Sequence, residues 1–185
     1  AALEQFLLGA DADAYDPHCR YEAAFAMLHL RRYAEAAALY AEVLQLAPGW
    51  FHARADLWLA EQLAAGTYGH AMFVLVHVLQ DGPAPPAEKL QVADAAIARG
   101  AVAPVVHLLR GKQLLRLGRV SEAIAAFEAG LGGEVDPHTR AQLQVELASR
   151  CEDGERRAAL LRDVEASTDN LLAAAVARIM RVTAR

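Results

Sequence analysis

The feature that most constrains this chain is a helix written more than once. Tyr33-Ala34-Glu35-Ala36-Ala37-Ala38-Leu39-Tyr40 closes at Pro48, Tyr68-Gly69-His70-Ala71 runs on to Leu75 and Pro83, and Val120-Ser121-Glu122-Ala123 runs on to Phe127 and Pro137. In each, a bulky residue is followed three positions later by alanine, then four later by another bulky residue, then by proline. The spacing extends backward. Ala24 precedes Ala36, Tyr40 and Pro48 by 12, 16 and 24 positions, and Gly111 precedes Ala123 and Phe127 by the same 12 and 16. The middle copy keeps Ala71, Leu75 and Pro83, but Leu59 stands where the small residue should be. Repetition at a period of about 35 residues predicts a stacked helical array.

The pattern has a physical reason. Two antiparallel helices approach closely only where a small side chain faces the partner, so Ala or Gly marks the contact. The large residue one turn on fills the seam to the next unit. Proline cannot donate to a continuing helix and opens the next one. Gly66-Thr67 and Gly118-Arg119 supply tight turns, and Arg31-Arg32 stands in at the first. Ala36, Ala71 and Ala123 are therefore expected to point into a neighbouring helix.

The anchors resemble the tetratricopeptide repeat, a helix–turn–helix unit of about 34 residues. The resemblance covers about 17–48, 52–83 and 104–137, with a degenerate unit at 138–166. There Gly154 makes the turn, Ala159 holds the small position and Asp163 occupies the bulky slot, as in a capping repeat with a wetter outer face. It implies an all-α superhelix, one solenoid domain over 1–185, with an extra helix near 86–99 and a C-terminal capping helix at about 168–182. The expected helices are 2–9, 17–30, 33–46, 50–65, 68–80, 86–99, 102–117, 120–131, 137–151, 154–166 and 168–182. Ser167-Thr168-Asp169 reads as an N-cap cluster for the last. The helix 102–117 can pair with 86–99 or with 120–131, and the Gly111/Ala123 spacing favours the second.

Composition agrees with the helical reading. Hydrophobic residues make up 55% of the chain and aromatics only 6%, so the surplus is alanine and leucine, both strong helix formers. No segment shows the β-branched alternation of a strand. The net charge of −5 and the absence of a basic stripe argue against nucleic acid. Cys19 and Cys151 are too isolated for a disulfide framework or zinc spacing, which favours a reducing, cytoplasmic compartment. No apolar run is long enough to span a bilayer. The chain begins without methionine and stops just after a helical run, as an excised piece of something longer would.

Candidate chemistry is weak throughout. Asp11, Asp13 and Glu22 match three positions of a calcium loop, but Asp16 stands where the sharp turn needs glycine. The simpler reading is that Asp16 caps a helix starting at Pro17. The histidines lack close ligand partners: His70 and His77 are two turns apart, and His29, His52, His107 and His138 stand alone. Gly130-Leu131-Gly132-Gly133 reads as a helix cap and linker, not a phosphate loop. No catalytic residue, cofactor or metal is assigned, and the expectation is a protein that is not an enzyme.

What remains is a surface. In the family resembled, the first helix of each unit lines a concave groove that holds a peptide or protein segment. The resemblance places Tyr21, Phe25, Leu28 and His29, then Asp56 and Leu63, then Leu108, Lys112 and Arg116 along it. The competing reading covers Tyr21 and Phe25 with the N-terminal helix, whose Leu3, Phe6 and Leu7 need burial. A clamp for a terminal carboxylate is disfavoured, because Asp56 would repel it. The expected function is a protein-interaction scaffold. The alternatives are a substrate-recruiting arm of a larger bacterial enzyme, glycosyltransferase- or sulfotransferase-like, and a secretion chaperone. Homo-oligomerisation through the first or last helix is left open.

Overall fold

The computed structural model describes residues 2–100, 102–166 and 171–183. Among them every element is a helix and no strand occurs. The order is α1 (Ala2–Ala12), α2 (Pro17–His29), α3 (Tyr33–Leu46), α4 (Phe51–Ala64), α5 (His70–Asp81), α6 (Pro86–Ala98), α7 (Pro104–Arg116), α8 (Val120–Leu131), α9 (Pro137–Ala148), α10 (Gly154–Ala166) and α11 (Leu171–Thr183). All eleven expected helices are present, with ends shifted by a few residues. The proposed cap Ser167-Thr168-Asp169 lies outside the described residues.

The chain divides into two compact units, 1–73 and 74–185. The boundary falls inside α5, hence inside the second expected repeat rather than between repeats. In the N-terminal unit α1 packs on α2, α2 on α3 and α3 on α4. The α1–α2 contact is close at Gly9, where an added Cβ would lie 2.7 Å from Cys19 Sγ. Leu3, Phe6 and Leu7 of α1 are half-buried.

In the C-terminal unit consecutive helices from α6 to α11 pack in series, and α9 also touches α7 and α11. Helix α7 packs on both α6 and α8, more extensively on α8. One cluster joins Leu90, Leu108, Leu114, Phe127, Leu143 and Leu147, and a second joins Ala141, Ala148, Leu161, Val164, Ala173 and Ala177. Two glycines set the spacing. A Cβ on Gly111 would overlap the ring of Phe127, and one on Gly130 would sit 3.1 Å from Leu143 and 3.2 Å from His107 Cβ. Gly130 is therefore a packing residue inside α8, and only Gly132 acts as its cap.

The turns repeat as the anchors do. Arg31, Gly66 and Gly118 all adopt left-handed φ, at 60°, 75° and 73°. After α2, Arg31 N–H donates to Leu28 O and Arg32 N–H to Met27 O; after α7, Gly118 donates to Leu115 O and Arg119 to Leu114 O. After α4, Gly66 donates to Leu63 O and Thr67 to Gln62 O. These are paired 6→1 and 5→2 bonds that satisfy the last carbonyls of a helix through one left-handed residue.

Ala36 and Ala123 are fully buried, as the spacing requires. Ala71 is exposed, against expectation. The buried stripe of α5 runs through Phe73, Val76 and Leu79 instead, which turns Ala71 outward at 3.6 residues per turn. Asp163, placed in a bulky slot by the repeat spacing, is exposed, and Val164 beside it fills the core.

Candidate binding recess

The residues expected to line a groove separate into three groups. Leu28, Leu63 and Leu108 are core residues, only 1%, 3% and 3% exposed, and present no surface to a partner. Each lies on its helix's inward stripe, which corrects their assignment to a groove. Tyr21, Phe25 and Asp56 are half-buried and His29 is exposed. Lys112 is half-buried and Arg116 exposed.

In the N-terminal unit the aromatic residues are engaged with one another. Tyr21 stacks on Trp50 at 5.3 Å between ring centroids, meets Tyr40 edge-on at 5.4 Å and donates its hydroxyl to Asp56 Oδ2 at 2.6 Å. Trp50 also stacks with His18. Phe25 packs edge-on against His29 and Phe73. Offset and edge-on pairs of this kind fix ring positions, so these rings act as a seam between helices. Trp50, a central member, carries no repeat spacing and was not expected. Its position directly before α4 follows from the turn after Pro48.

The C-terminal unit holds a recess of about 280 Å³ lined by Lys112 of α7, His138, Gln142, Val145 and Glu146 of α9, and Ala173 and Val176 of α11. Asp136 fixes the start of α9. Its carboxylate accepts from Thr139 N–H at 2.8 Å, and Pro137 occupies the first helical position. From that start, positions 138, 142, 145 and 146 fall on one face. Of the expected groove residues only Lys112 lines this recess. Leu108 belongs to the core cluster beneath α7, and Arg116 donates to Gln113 Oε1 at 3.1 Å. His138, Gln142 and Glu146 were not expected here. Their i, i+4, i+8 spacing was the available signal, but it is shared by any helix face.

The polar groups form a directed chain. Lys112 Nζ donates to Gln142 Oε1 at 2.8 Å, and Gln142 Nε2 lies 2.6 Å from His138 Nε2. Since the amide oxygen faces the ammonium, the amide NH₂ faces the ring, and His138 Nε2 is the acceptor. Burial pushes the Lys112 amine below the usual lysine range; Glu146 opposes that shift and Arg116 adds to it. Glu146 itself is paired with Arg150 at 2.7 Å.

A second hollow of about 300 Å³ lies among Leu147, Arg150, Cys151, Asp153, Arg156 and Leu160. Several of its polar groups are engaged: Arg156 pairs with Glu128 at 2.6 Å, Arg150 with Glu146 at 2.7 Å, and Cys151 Sγ donates to Asp153 O. Among the described residues no group of His, Cys, Asp and Glu is placed to hold a metal ion, and no helix is long and apolar enough to cross a membrane.

Compared with known protein families, characterised proteins and solved structures, the chain matches none.

Proposed function

We propose that this chain is a helical-repeat scaffold of the tetratricopeptide type, and that it holds a peptide or protein segment against the α7, α9 and α11 faces. The observation that carries the reading is the recess itself. The first helices of two successive hairpins, α7–α8 and α9–α10, sit side by side and share an open hollow with the helix that follows. Its floor combines apolar side chains with a few convergent polar groups held in fixed orientation, the composition of a recognition site. An amide chain that orients a lysine, with no nucleophile beside it, suits binding better than catalysis. The reading is therefore of a protein that is not an enzyme.

A displayed random peptide library tests this. Selection against the wild-type chain is expected to enrich peptides that lose binding to a Val176→Asp variant, which places a charge in the recess. Circular dichroism confirms that the variant still folds. Enriched peptides that bind the variant equally well, or no enrichment at all, would overturn the reading.

A further inference from the structure

The recess contains a charge that its surroundings do not answer. An ammonium offers three N–H donors, and Lys112 uses one of them, on the neutral amide oxygen of Gln142. Gln142 cannot turn to offer more, because its NH₂ is committed to His138. Glu146 is the near carboxylate, but the Arg150 guanidinium holds it at 2.7 Å. No carboxylate pairs directly with Lys112 among the described residues. Arg116, one turn along α7, adds to the positive potential. The chain carries two lysines, Lys89 and Lys112, against sixteen arginines. Lys89 is buried and donates to Gln80 O at the end of α5. Lys112 is thus the one lysine set in an open recess.

Beside the ammonium stand Val145, Ala173 and Val176. A ligand that fits must bring an anionic acceptor to Lys112 and an aliphatic group to these walls within a few ångströms. Glu146 at the rim disfavours a dianion such as a phosphate more strongly than a single carboxylate. We propose that the recess receives an aspartate or glutamate side chain of the partner segment, its carboxylate accepting the two spare Lys112 N–H bonds, with a neighbouring aliphatic side chain against Val145, Ala173 and Val176. This rests on the peptide-binding reading above and adds the chemistry of the occupant.

The depressed Lys112 amine supports the assignment. Burial is its main cause, and a carboxylate in contact reverses such a shift by favouring the charged form.

The test uses a positional-scanning library of acetylated, amidated peptides, with one position fixed in turn as Glu, Asp, Gln, Asn or Lys and the rest randomised. Binding to the wild-type chain is read by fluorescence anisotropy. Glu and Asp pools, best when followed by Val, Ile or Leu, are expected to bind about tenfold more tightly than Gln and Asn pools. Lys112→Met is expected to abolish that preference, bringing the Glu and Asp pools to the same affinity as the Gln and Asn pools. With two lysines in the chain, the ¹³Cε resonance of Lys112 is assigned by the same substitution. Its titration midpoint is expected to rise when an acidic peptide binds.

Equal binding of acidic and amide pools at the recess would overturn the acidic occupant and leave the scaffold reading standing. Binding by no pool would count against the scaffold reading itself. If free-acid peptides bind and their amidated twins do not, the carboxylate comes from a chain end and the side-chain assignment falls. An unmoved Lys112 midpoint in a saturated complex would also overturn it.

Discussion

The α2–α3 and α7–α8 hairpins are two versions of one device, and their differences are more instructive than their likeness. They correspond at a constant offset of 87 residues: Ala24 to Gly111, Arg31 to Gly118, Arg32 to Arg119, Glu35 to Glu122, Ala36 to Ala123 and Tyr40 to Phe127. The correspondence extends to interactions. Arg32 pairs with Glu35 at 2.5 Å, and Arg119 with Glu122 at 2.6 Å, at the start of the second helix in each. Yet three positions differ in kind. In the C-terminal hairpin a glycine leaves room for a phenyl ring and another glycine takes the left-handed turn. In the N-terminal hairpin an alanine and a tyrosine hold the matching positions, both fully buried, and an arginine takes the turn.

Two of these departures carry a local cost. The Tyr40 hydroxyl is fully buried without a hydrogen-bond partner among the described residues, and burial pushes its ionisation far up. Arg31 holds φ at 60°, where a Cβ crowds the following carbonyl. The hairpin geometry survives both. The architecture is therefore set by the spacing of small and large residues and by the turn bonds, while residue identity adjusts the strength.

The largest test of this comparison is at the large residue. Phe127→Ala is expected to cost about 3–5 kcal/mol in chemical denaturation, because it leaves a ring-sized cavity against Gly111. Tyr40→Phe at the matching position is expected to be neutral or to stabilise by about 1 kcal/mol, since it removes an unpaired buried hydroxyl. A large loss from Tyr40→Phe would show that the hydroxyl is answered and the two seams are not equivalent.

Next in size is the small residue. Gly111→Ala is expected to cost about 1–3 kcal/mol by forcing the Phe127 ring aside. The sign is the point, because alanine in place of glycine normally favours a helix. A stabilising Gly111→Ala would contradict the close approach of α7 and α8.

At the turn, Arg31→Gly is expected to raise stability by about 1 kcal/mol, by relieving the left-handed strain. Thermal melting of the variant checks it. An unchanged or lowered melting temperature would mean that the arginine side chain contributes more than the strain removes.

The smallest expected effect lies at the base of the recess helix. Burial raises the Asp136 carboxyl above its ordinary value of 3.8, against the hydrogen bonds from Thr139. A raised acid is most stabilising below the unfolded pKa and loses that contribution as pH rises through the folded value. Asp136→Asn keeps a capping oxygen and removes the buried charge. It is expected to match or exceed wild-type stability at pH 7, with the difference closing as pH falls below about 4. A variant less stable at pH 7 would show that the charge itself holds α9.

Much of the fold was legible in the sequence because its signals are local. Proline at the start of α2, α6 and α9, and a left-handed residue at three helix ends, are decided within a few residues. The register of α5 was not legible. Ala71 satisfies the spacing, but Phe73, Val76 and Leu79 outweigh it in apolar area, and burial follows area. Gly130 was not legible for a related reason: a glycine near a helix end serves a cap or a close contact equally well, and only the position of Leu143 decides. The recess was legible in one residue, Lys112. His138, Gln142 and Glu146 join it through the packing of α9 on α7, a pairing across helices that no spacing within α9 reveals.

The most direct test of the binding account is a methyl and amide shift map of the chain titrated with a library-selected peptide. The account predicts the largest shifts at Val145, Val176, Gln142 and Lys112, with Val43 and Ala60 of the N-terminal core unmoved. Shifts centred on Tyr21, Trp50 and Phe25, with Val145 and Val176 silent, would contradict it.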